Sequence, residues 1–113
     1  MKGVSMFMFK VILQLNEEQI KKDKEFNLSD IYKEIDNLYK ETGCYLLEKE
    51  NDKYIYTIDN LEEAPARLVS PSLKIRNLSW FKYMKEFYLA NNTYNEWVYD
   101  DMLKDWRETF YAN

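Results

Sequence analysis

From Met6 to Leu15 the side chains alternate without a break. Phe7, Phe9, Val11, Leu13 and Leu15 fall on one side, and Met6, Met8, Lys10, Ile12 and Gln14 on the other. Strict period two over that length is the pattern of a β-strand, because successive side chains leave a strand on opposite faces. The wholly apolar side has to lie on a core. The other side is mixed, so it is expected to be partly covered or open to solvent. The rest of the chain must supply this strand with neighbours and its apolar side with a cover.

The cover is readable first. Asn16–Glu25 is charged and reads as a short helical turn, with Asn16 as its cap and Gln19 three residues on. A longer helix is predicted from Leu28 to Thr42, where Ile31, Ile35 and Leu38 recur at helical spacing and Tyr32 and Tyr39 widen the stripe. Asn27 or Ser29 can cap its start, and Gly43 stands where a left-handed residue ends a helix. Cys44–Lys49 and Lys53–Asp59 then read as a hairpin, with Glu50, Asn51 and Asp52 supplying the turn. The order so far is β-α-β-β.

Beyond Asn60 the pattern weakens. Pro65 suits the first turn of a short helix. Pro71 is expected to block any regular element through it, and Leu73–Ile75 reads as extended. Ser79 can cap a helix from Trp80 to about Ala90 with Phe81, Met84, Phe87 and Tyr88 inward. Asn91 and Asn92 break it. Thr93 with Glu96 has the form of a capping box for a last helix reaching Phe110, its stripe Val98 or Tyr99, Met102, Leu103, Trp106 and Phe110. The predicted fold is α+β: β-α-β-β followed by two C-terminal helices, a three-stranded antiparallel or mixed sheet with helices packed on one face. At 113 residues the whole chain, 1–113, is read as one domain.

Chemistry is limited by what is missing. The chain has no histidine and a single cysteine, Cys44, so neither a Cys-His zinc site nor a Cys-His nucleophile pair can be assembled within it. Cys44 follows a helix C-terminus, whose partial negative charge disfavours a thiolate, and it reads as an ordinary half-buried strand residue. Gly3 and Gly43 are too far apart for a phosphate-cradling loop. Ser70-Pro71-Ser72 with Lys74 reads as a loop with capping hydroxyls. Asp101, Asp105 and Glu108 would share one face of the last helix beside Asp100, but Lys104 and Arg107 are interleaved, and the group reads as a solvated face. No catalytic residue, cofactor or metal is therefore expected, and the chain is not read as an enzyme. Lys10 interrupts the only apolar stretch near the N-terminus and no run is long enough to span a bilayer. A cytoplasmic location without a membrane partner is the expectation.

Two surpluses remain. Ten Tyr, six Phe and three Trp make 17% of the chain, more rings than the stripes above can turn inward. Rings left outside tend to mark contact surfaces, since they bury much area at little entropic cost. Trp80, Tyr83, Tyr88, Tyr94, Trp97 and Tyr99 are the interface candidates, for a partner protein or for a second copy in a homodimer. The second surplus is local. Net charge is −4, yet residues 64–85 hold Arg67, Lys74, Arg76, Lys82 and Lys85 and no acid. With Trp80, Phe81 and Tyr83 among them, these cations are the candidates for contact with single-stranded nucleic acid, the alternative reading.

The runs Phe9–Leu15 and Asn27–Asp36 and the pair Trp80-Phe81 resemble those of small bacterial proteins carried on phage or conjugative elements. The resemblance implies neither an activity nor site residues. With the surplus rings it points to a small acidic protein-interaction module, an accessory or inhibitor protein of a mobile element.

Overall fold

The structure is a computed structural model, and it describes residues 9–59, 62–93 and 96–104. Met6, Met8, Tyr94, Asp105, Trp106, Glu108, Phe110 and Tyr111 therefore lie outside the described residues. Within them, β1 (Phe9–Leu15) is followed by α1 (Glu17–Asp23), α2 (Leu28–Glu41), β2 (Tyr45–Glu50) and β3 (Lys53–Thr57). Next come α3 (Ala64–Arg76), a 3-10 helix (Ser79–Tyr83), β4 (Met84–Thr93) and β5 (Glu96–Asp101). The architecture is α+β, with an antiparallel sheet of five described strands in the order β2-β3-β1-β4-β5.

The N-terminal half follows from local signals. Val11, Leu13 and Leu15 are buried while Lys10, Ile12 and Gln14 between them are not, as period two requires. The Asn16 side chain accepts a hydrogen bond from the Gln19 N–H at 3.1 Å and starts α1. Asn27 does the same for α2 through Asp30 N–H at 3.1 Å. Ile31, Ile35 and Tyr39 form the buried stripe of α2. Gly43 takes φ +85° after it, the left-handed region that costs glycine nothing. Tyr39 stacks on Tyr56 of β3 with ring centroids 4.5 Å apart. Each large side chain buried here contributes about 1.5–3 kcal/mol by leaving water.

Three expectations are overturned, each for a physical reason. First, the sheet has five described strands, not three, because the chain from Met84 to Asp101 is a hairpin rather than two helices. From Phe87 the faces alternate: Phe87 is buried in the core and Leu89 packs on it, while Tyr88 and Ala90 pair with Ile12 and Lys10 on the other face. Of the two expected helices, Ser79–Tyr83 keeps helical turns and Met102–Lys104, after β5, is helical. Second, Leu73–Ile75 is helical, not extended.

Third, Pro71 does not stop α3, which runs through it. A proline has no N–H to give the carbonyl four residues back, here that of Arg67. That carbonyl instead accepts from the Thr42 hydroxyl at 2.7 Å and the Cys44 thiol at 3.4 Å. Thr42→Val is therefore expected to cost about 1 kcal/mol, the range for losing one hydrogen bond at a part-buried carbonyl that keeps the weaker Cys44 thiol. Adding Pro71→Ala, which restores an N–H four residues on, should recover part of that loss. Purely additive effects in a double-mutant cycle of urea denaturation would remove this account of how the helix tolerates the proline.

The core lies on one side of the sheet. Val11, Leu13, Leu15, Tyr56 and Phe87 from the strands meet Ile20, Ile31, Ile35, Tyr39, Leu68 and Ile75 from the helices, with Trp80, Phe81 and Tyr83 from the 3-10 helix. Among the described residues no helix is long and apolar enough to cross a membrane.

Candidate functional site

Residues opposite one another in antiparallel strands share a face, so the register fixes what occupies the other side of the sheet. Ile12 faces Ile55 on β3 and Tyr88 on β4. Lys10 faces Thr57 and Ala90, and Gln14 faces Lys53 and Glu86. Further out, Ala90 faces Tyr99, Asn92 faces Trp97 and Tyr88 faces Asp101. On the opposite flank Glu48 faces Ile55 and Glu50 faces Lys53. Ile55 and Ala90 are buried, yet both stand outside the core cluster that the described helices cover. They are shielded by their neighbours on this second face.

These neighbours make a defined surface. Tyr88 and Tyr99 meet edge to face with centroids 6.3 Å apart, and Tyr99 keeps 52% of its surface exposed. The Lys10 ammonium lies 4.1 Å from the centroid of the Trp97 ring, a cation–π contact that occupies the cation. The Lys53 ammonium is 3.2 Å from Glu86, a bridge reaching from β3 to β4 across β1. Ile12, Ile55, Tyr88 and Tyr99 floor a hollow of about 470 Å³, with Glu50, Lys53 and Glu86 at its side. The centre is thus aliphatic and aromatic, and the flank carries Glu48, Glu50 and Glu86 around Lys53, which pairs with Glu86, leaving it acidic on balance.

The interface candidates divide. Tyr88, Trp97 and Tyr99 stand together on this face. Trp80 and Tyr83 do not, since both are buried members of the core. The Trp80 indole N–H donates to Glu34 at 2.8 Å, and the Tyr83 hydroxyl donates to Asp23 at 2.6 Å. Those polar tips reach carboxylates while the rings are covered, so they leave no free ring for a partner. That hydrogen bond from Tyr83 also holds the Asp23 carboxyl below the usual range. Tyr94 lies outside the described residues. Ile12 and Ile55 were missed as site residues; the mixed side of the first strand is a signal for Ile12, and Ile55 joins it only through the β1–β3 register.

The cations of residues 64–85 do not join the face. Arg67 pairs with Glu63 at 3.3 Å, Lys74 with Glu41 at 3.5 Å and Lys82 with Glu25 at 2.8 Å. Arg67, Lys74 and Arg76 belong to α3, Lys82 to the 3-10 helix and Lys85 to β4. Arg76 lines a separate cleft of about 190 Å³ between α3 and β5, with its Nε shielded and without a hydrogen-bond partner. Lys85 is exposed beside Asp23 and Tyr83.

Nor do the described carboxylates gather. Asp100 and Asp101 are successive residues of a strand rather than of a helix, so they leave it on opposite faces, and Asp105 and Glu108, expected to share a helix face with Asp101, lie outside the described residues. Asp101 caps the turn after β5, accepting from the N–H groups of Leu103 and Lys104. Among the described residues no group of three or more carboxylate or thiol side chains is placed to hold a metal ion. Burial pushes the Cys44 thiol up from its ordinary pKa, which leaves it a poor nucleophile. Compared with protein-family models, with curated proteins and with solved structures, the chain matches none of them.

Proposed function

We propose that this protein is a small acidic interaction module that docks a partner protein on the sheet face left bare by its described helices. The observation that carries the reading is the cluster of Ile12, Ile55, Tyr88 and Tyr99, with Trp97 beside it, around a hollow rather than beneath any described helix. Clustered rings and branched side chains on a rigid sheet are the composition of an interface centre. The acidic flank selects the occupant: a protein surface with an apolar centre and basic residues around it. A second copy of the chain would bring a face of the same net sign, Glu48, Glu50, Glu86 and Asp101 against Lys10 and Lys53, and so would complement it less well than a basic partner. Nucleic-acid phosphates would meet those carboxylates as well, while Arg67, Lys74 and Lys82 are engaged by the chain's own acids. An accessory or inhibitor role in a phage or mobile element fits a module that works by docking.

The test is a pair of substitutions on the bare face, Ile12→Ser with Tyr88→Ser, set against Lys74→Ser on the helical side. A partner captured from the native host, then purified and titrated, should bind the Lys74→Ser protein normally. It should bind the double variant at least about 100-fold more weakly, the loss expected from two truncated residues at an interface centre. Equal binding to both variants removes the bare face as the site. Salt-sensitive binding of single-stranded oligonucleotides by the unmodified protein, with no protein partner, would replace the reading by the nucleic-acid one.

A further inference from the structure

The sheet has two outer edges among the described residues, and they are built differently. The β2 edge is guarded. Its pairing with β3 slips between Leu46 and Glu48, and Glu48, Lys49 and Glu50 are exposed along it. A bulge and mixed charges of this kind prevent another strand from pairing. The β5 edge has neither device. Six consecutive residues, Glu96–Asp101, pair with β4 without a slip, and the strand contains no lysine, arginine or proline. No described strand lies beside it.

Both faces of β5 are also accessible. Trp97 and Tyr99 lie on the bare side of the sheet. Glu96, Val98 and Asp100 lie on the helical side, where Val98 is 50% exposed and neighbouring α3 presents Leu73 at 45%. The strand therefore overhangs the helical layer. Its charges are all of one sign: Glu96 and Asp100 on the helical side, Asp101 at the end of the bare side.

We infer that β5 is a strand-addition site for an extended, basic segment of a partner protein. The segment would pair its backbone with the outer edge of β5. Its lysines or arginines would fall beside Glu96 and Asp100, and its apolar residues beside Trp97 and Tyr99. Alternate side chains of an added strand point to opposite faces, so an alternating basic and apolar sequence matches both sides of β5 at once. The same three acids disfavour a second copy, since two β5 strands side by side place six carboxylates within one strand's length. This site shares Tyr99 with the bare-face hollow but binds through the backbone of the outer edge, so the inference stands whether or not that hollow binds.

The experiment is an amide-resolved titration of isotope-labelled protein at low salt, using a short capped peptide that alternates lysine and valine. Saturable shifts and slowed hydrogen exchange centred on residues 96–101 are the expected result, with no response to the same peptide carrying glutamate for lysine. Glu96→Lys with Asp100→Lys should weaken binding by about tenfold or more, the reversal of two cross-strand charge pairs. Glu96→Gln with Asp100→Asn should weaken it by less, and serves if the reversed protein does not fold. Ile12→Ser should leave the peptide's affinity within about threefold, because Ile12 lies on β1, with β4 between it and β5. Absence of any response in β5, or an equal response to the glutamate peptide, overturns the inference. Slowing of β5 exchange with protein concentration alone, accompanied by dimers in sedimentation, also overturns it and assigns the edge to self-pairing.

Discussion

Tyr39→Ala should lower the free energy of unfolding by about 4 kcal/mol, within the range for removing a large buried ring. The side chain is fully buried. It lies on α2, stacks on Tyr56 of β3, and its hydroxyl is 2.8 Å from Ser72 of α3. Ser72 donates its only proton to the Leu68 carbonyl at 2.8 Å, so Tyr39 is the donor in that pair. One residue thereby joins the sheet to both long helices. Tyr39→Phe keeps the ring and loses the donor, and should cost only about 1 kcal/mol. Chemical denaturation at unchanged m-value reads both. A Tyr39→Ala loss below about 1 kcal/mol would mean that the three elements are not held through this ring.

Alkaline unfolding is the second large effect expected. Burial is the main force raising the Tyr39, Tyr56 and Tyr32 phenols above their ordinary pKa; for Tyr56 and Tyr32, hydrogen bonds to Asp36 and Glu17 add to it. Tyr83, hydrogen-bonded to Asp23, and Tyr45, part-shielded beside Asp59, are pushed up to about 12. In the unfolded chain a phenol releases its proton near pH 10. Above that pH the folded state binds more protons than the unfolded one, so stability falls as pH rises. The stabilisation is intact below pH 10 and is lost progressively above it, through about pH 12 for Tyr45 and Tyr83. Tyr39, fully buried, withdraws about 1.4 kcal/mol per pH unit above 10 until its raised folded-state pKa is reached. A domain with stability of ordinary size should therefore unfold cooperatively within a few pH units, with tyrosinate absorbance and loss of circular dichroism rising together. Independent ionisation of all ten tyrosines near pH 10 with the fold retained would contradict the burial of these rings.

The legible and illegible parts of the sequence differ in where their information lies. β1, α1, α2 and the β2–β3 hairpin are specified within a few residues of themselves: Asn16 caps α1, Asn27 caps α2, Gly43 ends α2, and Ile31, Ile35 and Tyr39 lie on one stripe. The stretch from Trp80 to Tyr99 is not specified that way. Phe81, Met84, Phe87 and Tyr88 fit a helical stripe as well as they fit a strand pairing with β1. What decides is that β1, some seventy positions earlier in the chain, offers an unpaired edge, and no local window contains that fact. The Thr93–Glu96 spacing imitates a capping box, yet these two residues face each other across the β4–β5 connection. Trp97, Val98 and Tyr99 are strand formers and outweigh it. Pro71 misled for a similar reason: the donor that satisfies the Arg67 carbonyl sits on Thr42, far back in sequence. The candidate site shared this limit, because Tyr88, Trp97 and Tyr99 could be named from their ring surplus, whereas their company with Ile12 and Ile55 needed the register.

The middle strand of the sheet is the earliest of the described strands to leave the ribosome. Its β3 neighbour is about forty residues behind it, and its β4 neighbour more than seventy. During synthesis β1 therefore waits with one margin open until most of the chain has been made. Such distant pairing slows folding, because the intervening chain must be drawn closed before the contact forms. In that interval Val11, Leu13 and Leu15 depend on α1 and α2 for shelter, and a nascent chain halted before Met84 would present a sticky strand edge to any chaperone or neighbouring chain nearby.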